Sequence, residues 1–284
     1  MMRRDKSLVT NTCYALNAML PRVSIVLPTY NGTKYLAQSI QSVIDQTLTA
    51  WELIVVDDAS AEDAYGIAAA FGDPRIHYVR NGANCRLPRS LNRGFALAAG
   101  QYLTWTSDDN WYAPDALEKM AQVLDSSPRV AMVRTDMWRV DEHGNKKLAG
   151  LDPPLWLASY NCIGACFLYR RIVLETVGLY DHRYALVEDY EYWLRVASRF
   201  AIASVVEPLY YYRIHSSSLT GQSAQGHIES LAAAVRAEPR FCRLQRRLRM
   251  YWRLVNLRRA MSRRRIWKSA SLGVDSLIER LAGL

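Results

Sequence analysis

The sequence predicts an α/β fold built on a mixed, mostly parallel sheet with helices on both faces. Up to about residue 134, short apolar runs of strand length alternate with segments of helical periodicity. Fully apolar strands separated by helices are typical of parallel sheets that are buried on both faces. The predicted strands are 23–27, 53–56, 76–79, 102–105 and 130–133. The predicted helices are about 33–46, 61–71, 88–99 and 113–125.

The alternation becomes less regular after residue 135. Residues 136–150 are polar and rich in turn formers, and His143, Gly144 and Asn145 are the predicted tip of a hairpin. Further along, we predict strands at 163–168, 201–206 and 208–213 and helices at 170–177 and 188–199. The helix at 188–199 is amphipathic, which predicts that one of its faces is buried.

The composition indicates a folded core without a membrane span. The chain has 284 residues, 50% of them hydrophobic and 22% charged, which is enough apolar surface for one large domain. No run of about 18 apolar residues occurs, and the basic first 21 residues lack the apolar core of a signal peptide. The five cysteines show no metal-ligand spacing, and we expect them to be reduced. We predict a loosely ordered leader at 1–21, a domain at 22–221 and a tail at 222–284.

The positive charge of the chain is concentrated in this tail. From Pro239 onward there are 13 Lys and Arg against two acidic residues, whereas the rest of the chain is nearly neutral. Six apolar residues share one face at helical spacing: Phe241, Leu244, Leu248, Tyr251, Trp252 and Val255. A basic amphipathic helix rich in aromatics favours peripheral contact with an anionic membrane. The alternatives are that the helix packs on the catalytic body or, with less support, that it binds nucleic acid.

Three acidic sites follow the predicted elements. Asp57 and Asp58 end one strand, Asp108 and Asp109 follow another, and Glu188 and Asp189 begin the helix at 188–199. Ligands of open α/β sheets bind at the edge formed by the carboxyl ends of the strands. Adjacent carboxylates repel each other unless a cation lies beside them, and a divalent metal that carries a diphosphate would remove that cost. Helix capping and solvated turns are the structural alternatives.

His215 follows the last predicted strand and is the other candidate metal ligand. A structural histidine is the alternative. Its place in a loop with small polar neighbours would suit a segment that closes over a metal and a phosphate.

Seven motifs in order resemble family 2 glycosyltransferases of the GT-A fold. They are 23–31 (VSIVLPTYN), 39–47 (SIQSVIDQT), 51–60 (WELIVVDDAS), 87–94 (LPRSLNRG), 100–110 (GQYLTWTSDDN), 187–196 (VEDYEYWLRV) and 212–220 (YRIHSSSLT). The match covers about residues 22–221. The SDDN form is similar to that of the spore-coat polysaccharide members of the family.

The resemblance implies a role for each residue of the motifs. The donor is a UDP- or dTDP-sugar, and its nucleotide would be bound by seven residues: Pro28, Thr29, Tyr30, Asn31, Asp58, Asn92 and Asp108. Within this set, Tyr30 would lie on the base, Asp58 would accept a hydrogen bond from the base N3–H, and Asp108 would lie near the ribose. Asp109, with His215, would hold Mg²⁺ or Mn²⁺ on the diphosphate. Asp189 would remove the proton of the acceptor hydroxyl.

Two positions depart from the common family pattern. Ser107 stands where many relatives have the first acid of an Asp-x-Asp motif, and Leu91 precedes Asn92 where many have arginine. The second departure leaves Arg86, Arg89 and Arg93 as candidates for the phosphate contact.

The predicted activity is a metal-dependent, inverting sugar transfer to a hydroxyl of a glycan or a lipid-linked acceptor. One base without a covalent intermediate gives inversion. Such an enzyme of cell-surface polysaccharide or glycolipid synthesis would be cytoplasmic and peripheral at the inner face of the membrane. A nucleotidyltransferase is less favoured because residues 28–32 (PTYNG) are not a Gly-rich, Arg- or Lys-bearing loop. A dinucleotide oxidoreductase is disfavoured because no GxGxxG follows a strand. An inactive protein that binds a membrane or RNA is the third alternative.

Overall fold

The computed structural model describes residues 20–223 and 225–263, and these form a nine-stranded mixed sheet with helices on both faces. The strands are β1 (Val23–Thr29), β2 (Trp51–Asp57), β3 (Ile76–Arg80), β4 (Tyr102–Trp105), β5 (Trp111–Tyr112), β6 (Val130–Val140), β7 (Lys146–Ala149), β8 (Phe167–Arg170) and β9 (Ala201–Arg213). Their order is β3-β2-β1-β4-β8-β6-β9-β5, with β7 paired to β6. The β3, β2, β1 and β4 strands are parallel, and β8 joins them antiparallel.

Nine α-helices connect and flank these strands in the described ranges. They are α1 (Thr33–Ile44), α2 (Ala64–Ala69), α3 (Leu87–Leu97), α4 (Ala116–Ser126), α5 (Arg171–Val177), α6 (Glu188–Arg199), α7 (Leu219–Gln222), α8 (Gln225–Ala237) and α9 (Cys242–Arg263). Short 3₁₀ helices occur at Pro154–Ala158, His182–Tyr184 and Pro239–Phe241. The predicted helix at 188–199 is confirmed to the residue.

The alternating strand residues build two hydrophobic cores, one on each side of the sheet. Ile25 and Leu27 of β1 face the first core, and Val26 between them faces the second. Side chains of adjacent strand residues point to opposite faces, so an apolar run buries both. Helices α1, α2 and α4 cover the first core, whereas α3, α5 and α6 cover the second. The sheet is therefore fixed from both sides, and its strand ends are held in a defined arrangement.

The structure differs from the predicted strands in the second half of the chain. The strands predicted at 201–206 and 208–213 form one strand, β9, whose register against β6 is irregular at Pro208. A bulge lets a strand include a proline, which has no amide hydrogen to donate to its neighbour. The strand predicted at 163–168 begins only at Phe167, because Gly164 at φ +78 lies outside strand geometry. The predicted strand at 130–133 continues to Val140, and the two-residue β5 was not predicted.

The described part of the predicted tail packs on the domain. Phe241 and Leu244 are buried in the second core, together with Val235 of α8. Arg247 donates to the carbonyl of Ala197 near the carboxyl end of α6, where a cation is favoured by the helix dipole. A basic appendage separate from the domain is therefore not confirmed. The predicted leader at 1–21 lies outside the described residues except for its last two, and residues 264–284 lie outside them as well.

None of the helices described here has the length and apolar character needed to cross a bilayer.

Candidate active site

The carboxyl ends of β1, β2 and β4 bring three predicted motifs to one edge of the sheet. Thr29 pairs in register with Asp57, and the amide of Asp58 donates to the carbonyl of Thr29 at 2.9 Å. On the other side of β1, the amide of Thr106 donates to the carbonyl of Val26, also within 3.0 Å. The segment 28–31, the Asp58 turn and the 107–110 loop are therefore direct neighbours.

Asp108 lies against the turn that follows β1. The hydroxyl of Thr29 donates to Oδ2 of Asp108 at 2.6 Å. A methyl group added at Gly32, just before α1, would lie 1.9 Å from the same oxygen, so glycine is required for this close approach. Burial raises the pKa of Asp108 to about 7; the charge of Asp109 adds to this rise, and the bond from Thr29 opposes it. Asp108 is thus held by its neighbours in a position beside Tyr30.

Asp109 and His215 form a pair in which one carboxylate oxygen is unused. Nε2 of His215 lies 2.9 Å from Oδ2 of Asp109, and Nδ1 of His215 contacts the Ser217 hydroxyl at 2.7 Å. Oδ1 of Asp109 is buried and has no hydrogen-bond partner among the described residues. An unpartnered carboxylate oxygen beside an imidazole suits a divalent cation, since both groups are common metal ligands.

The protein supplies few ligands for such a cation. No cluster of three or more His, Cys, Asp or Glu side chains suited to a metal occurs in the described part of the chain. Mg²⁺ sites commonly use one or two protein groups together with substrate phosphates and water. Asp109 and His215 therefore fit a metal that is bound together with a phosphorylated substrate.

Arg213 fixes the loop that carries Asp109. Its Nε donates to the carbonyl of Asp109 at 3.0 Å, and its amide donates to Oδ1 of Asn110 at 2.8 Å. The guanidinium lies between two aromatic rings, 3.9 Å from the centroid of Tyr35 and 4.7 Å from that of Trp111. A planar guanidinium both stacks and hydrogen-bonds, so this residue holds the loop in two ways. Sequence reasoning gave Arg213 no role, although it lies within the quoted 212–220 motif.

Asp58 organises the loop between β3 and α3. Its Oδ1 accepts from the side chain of Asn81 and the amide of Cys85, and its Oδ2 accepts from the amide of Arg86, all within 2.8 Å. An ionised carboxylate offers about four acceptor positions, so one remains for a ligand. The predicted contact with a base N–H is thus compatible with the structure but shares the carboxylate with this loop.

Asp57, the preceding residue, has a structural role. It is fully buried, forms an ion pair with Arg80, and accepts bonds from the Tyr78 hydroxyl at 2.6 Å and the Ser60 amide at 2.8 Å. Neither acid caps a helix, because α2 begins at Ala64 and is capped by Asp63.

Two predicted nucleotide-binding residues use their amide groups within the protein. Asn92 donates to the carbonyl of Tyr180 at 2.8 Å and accepts from its amide at 2.9 Å. Asn31 accepts from the amide of Ala61 at 2.8 Å and so links the first two βα turns. The backbone amide of Asn31 donates to the Ser60 hydroxyl at 3.0 Å, whereas Asn92 connects α3 to the segment before α6.

The remaining predicted contacts differ in exposure. Tyr30 is 52% exposed at the end of β1, next to the partly buried Pro28. Of the three candidate arginines, Arg93 donates to the carbonyl of Arg80 and to Oδ1 of Asn81. All three arginines are exposed, but no side-chain hydrogen bond of Arg86 or Arg89 occurs within the described residues. These two guanidinium groups are therefore freer than that of Arg93 to meet a phosphate.

Asp189 lies in the first turn of α6, beside the buried acid Glu188. Its Oδ2 accepts from the side chain of Asn161 at 2.7 Å, and burial raises its pKa. Burial, together with the charge of Asp189, raises the pKa of Glu188 to about 8, and Oε2 of Glu188 has no hydrogen-bond partner among the described residues. Asn161 was missed by sequence reasoning, because it lies in a loop without a recognisable motif.

Tyr180 connects this turn to the sheet edge. The Trp105 side chain at the end of β4 donates to the Tyr180 hydroxyl at 3.0 Å. The Tyr180 ring stacks on that of Tyr192 in α6, with the ring centroids 4.1 Å apart.

Backbone with positive φ occurs in the turns that carry the candidate site residues. Four non-glycine residues among those described have positive φ: Asn31 (52°), Ala59 (66°), Arg86 (68°) and Leu186 (75°). Ala59 follows Asp58, the amide of Arg86 is bound by Asp58, and Leu186 precedes the Glu188 turn. Such conformations persist where the surroundings impose them, and they concentrate at functional sites.

The comparison with known families identifies this chain as a glycosyltransferase. Residues 24–178 match the model of glycosyl transferase family 2, which is more than half of the chain. The chain belongs to that family. The confirmed α/β sheet, with its helices on both faces, agrees with this assignment.

One curated relative and two solved structures give the range of similarity. The putative glycosyltransferase EpsE of Bacillus subtilis is 33% identical over 185 residues, which are 62% of this chain and 66% of EpsE. S. aureus TarS 1-349 in complex with UDP-GlcNAc superposes with a TM-score of 0.62 at 16% identity, covering 75% of this chain and 66% of that one. The mannosyltransferase PcManGT of Pyrobaculum calidifontis, in complex with GDP-Man and Mn²⁺, gives 0.58 at 14%, covering 93% and 85%. The two structures share the fold of this chain.

Proposed function

We propose that the protein transfers a sugar from a UDP- or dTDP-sugar to a hydroxyl group, with a divalent metal and with inversion at the anomeric carbon. The observation that carries the proposal is the Asp109–His215 pair, with its unused buried oxygen, at the same sheet edge as Asp58 and Asp108. The nucleotide complex of TarS and the Mn²⁺ complex of PcManGT support the donor class and the metal.

The donor lies along the edge of the sheet in this proposal. The exposed ring of Tyr30 provides a surface for the base, and the free acceptor position of Asp58 selects a base that carries an N3–H. Thr29 and Asp108 form the ribose end of the site. Asp109 and His215 would hold Mg²⁺ or Mn²⁺, which stabilises the negative charge of the departing diphosphate. The exposed Arg86 and Arg89 are the nearest cations of the α3 turn.

Asp189 acts as the general base. Its carboxylate is oriented by Asn161, and its raised pKa makes it a stronger proton acceptor than an exposed aspartate while it is ionised. It takes the acceptor proton as the hydroxyl oxygen bonds to the anomeric carbon and the diphosphate oxygen leaves. With Asp189 as the base and a single displacement at the anomeric carbon, the configuration inverts.

Asp189→Asn tests this assignment. We expect turnover to fall by at least about 10²-fold, because an amide cannot accept the proton, while donor affinity changes little. Glu175→Gln, which removes an exposed acid on α5, is the matched control. A folded Asp189→Asn enzyme that keeps a near-normal rate would remove the residue from the mechanism.

The donor class is tested by calorimetry with UDP, dTDP and GDP, each with and without Mn²⁺. We expect UDP or dTDP to bind more tightly than GDP. Either nucleotide should reach its full affinity only when Mn²⁺ is present. Tighter binding of GDP would contradict the role of Asp58. No binding at millimolar concentrations of any nucleotide would contradict the whole proposal and favour a binding protein with an inactive domain.

In this proposal the acceptor is an intermediate in the synthesis of a cell-surface polysaccharide or glycolipid, and the protein works at the inner face of the membrane. The support is the resemblance of the SDDN motif and the arginines of α9. Flotation with phosphatidylglycerol vesicles tests the membrane contact. The full chain is compared with a variant in which Arg246, Arg249 and Arg253 are glutamine, since removal of residues from 239 onward would also remove buried Phe241 and Leu244. Equal flotation of the two proteins would exclude these arginines as the contact.

A further inference from the structure

An apolar cleft lies between the 3₁₀ helix Pro154–Ala158 and helix α9, outside the nucleotide site. It has a volume of about 220 Å³ and is lined by Leu155, Trp156, Ala158, Ser159, Leu248, Arg249 and Trp252. The rings of Trp156 and Trp252 meet edge to face with their centroids 6.0 Å apart. Trp252 is 43% exposed, so the cleft opens to solvent along a large aromatic side chain. A site of this composition suits a hydrocarbon chain and provides little hydrogen bonding for a sugar or peptide.

The mouth of the cleft is strongly basic. Helix α9 contains eight arginines and no acidic residue. Arg249 lines the cleft, and Arg246 and Arg253 lie three residues before and four after it, which places them on the same side of the helix. These three side chains are exposed or nearly so, and none forms an ion pair with an acid within the described ranges. The apolar cleft therefore opens beside a group of cations that suits a phosphate.

The wall of the cleft is connected to the proposed base. The Tyr190 hydroxyl donates to the carbonyl of Leu157 at 2.6 Å, and Tyr190 follows Asp189. Asn161, three residues after the 3₁₀ helix ends, donates to Asp189 at 2.7 Å. The residues that line one wall of the cleft thus belong to the segment that orients Asp189.

We propose that this cleft binds the hydrocarbon chain of a phosphate-bearing lipid that carries the acceptor sugar, with the phosphate on Arg249 and Arg253. The proposal rests on the proposed function, in that the lipid is the carrier of the hydroxyl group that Asp189 deprotonates. Charge complementarity at the mouth and continuity with the Asp189 segment distinguish this occupant from a peptide or a free glycan.

The test measures binding of hexyl, octyl and decyl phosphate by calorimetry, below their micelle concentrations and without donor or metal. Each added methylene should raise the affinity about fourfold until the cleft is filled, because burial of a methylene is worth about that factor. Trp252→Ala should weaken the binding of decyl phosphate about tenfold. Met250→Ala is the matched control, because Met250 is equally exposed on the same helix and does not line the cleft.

A second variant and two further ligands separate the remaining explanations. Arg249→Gln should weaken alkyl phosphates and leave the corresponding alkyl maltosides unchanged. If inorganic phosphate binds as tightly as decyl phosphate, the assignment of the cleft as a hydrocarbon site is overturned. The same holds if decyl phosphate binds equally well to the wild type and to Trp252→Ala. Binding to phosphatidylglycerol vesicles without binding to monomeric alkyl phosphates would show a membrane surface contact instead and would also overturn it. Because no transfer is measured, these outcomes do not depend on the activity of the nucleotide site.

Discussion

Nε2 of His215 lies 2.9 Å from Oδ2 of Asp109, although 106 residues separate them in the chain. The two side chains are only 10% and 17% exposed, and the loop after β9 brings the histidine to the end of β4. The other carboxylate oxygen, Oδ1 of Asp109, has no hydrogen-bond partner among the described residues, so the pair can bind a further group.

Replacement of His215 tests whether the group that this pair binds is a metal ion. His215→Ala should weaken the affinity for Mn²⁺ in the presence of UDP by at least about 10- to 100-fold, because the loss of a residue that only orients a metal ligand already costs that much. The affinity is measured by Mn²⁺ titration followed by electron paramagnetic resonance. His143→Ala, at the exposed hairpin tip, is the control. Equal Mn²⁺ affinity of the His215→Ala and wild-type proteins would assign the histidine a structural role.

Gly32→Ala should disturb the position of Asp108. The added methyl group would meet Oδ2 of Asp108 at 1.9 Å, so either the side chain or the turn must move. We expect nucleotide affinity to fall about tenfold and stability to fall by about 1–3 kcal/mol, as in other overpacked sites. Gly226→Ala is the control, because no atom of the described residues lies within 4 Å of a methyl group there.

Asp108→Ala provides an internal check on this explanation. If the clash with Asp108 is the cause, the combined variant should be less damaged than the sum of the two single variants. Strict additivity in calorimetric nucleotide binding would contradict it.

Glu188 makes stability depend on pH. Its pKa rises from 4.5 to about 8 on folding, so folding takes up a proton between these values and the free energy of unfolding falls as pH increases through the window. Thermal unfolding should therefore occur at a lower temperature at pH 9 than at pH 6. Glu188→Gln should reduce this difference, because the amide has no charge to bury. An unchanged difference in melting temperature would mean that Glu188 is ionised without cost in the folded protein.

Arg213→Lys tests whether the stacked guanidinium positions Asp109. Lysine keeps the charge but cannot both stack between Tyr35 and Trp111 and donate to the Asp109 carbonyl. We expect Mn²⁺-dependent UDP binding to weaken about tenfold, while metal-free UDP binding changes less than twofold. Arg139→Lys, on the exposed side of the hairpin, is the control. Equal losses with and without metal would indicate a general loss of structure around the loop.

The sequence predicted the sheet and the site motifs for a physical reason. Buried parallel strands require short apolar runs, and the polar residues that follow them must lie at one edge, so 23–31, 51–60 and 100–110 could be placed without a structure. The two-residue β5 and the bulged β9 could not be predicted, because their pairing depends on contacts with distant strands rather than on local pattern.

The sequence could not show which motif side chains are already used within the protein. Asn92 and Asp58 both belong to family motifs. The side-chain amide of Asn92, however, hydrogen-bonds to the backbone of Tyr180, and Asp58 accepts three hydrogen bonds from the 81–86 loop. These partners lie up to 88 residues away. Arg213 was overlooked for the same reason, since its stacking partners Tyr35 and Trp111 are brought together only by the fold.

Glu191 on α6 is fully buried and neutralised by two cations, Arg195 within its own helix and Arg240 just before α9. A shortened chain that stops before Arg240 would leave the buried carboxylate of Glu191 paired with Arg195 alone. Glu191 lies two residues from Asp189. Such a protein would also lack the buried Phe241 and Leu244, so poor turnover would reflect damage to the helix that carries Asp189. Membrane binding therefore has to be measured with point substitutions in the full chain.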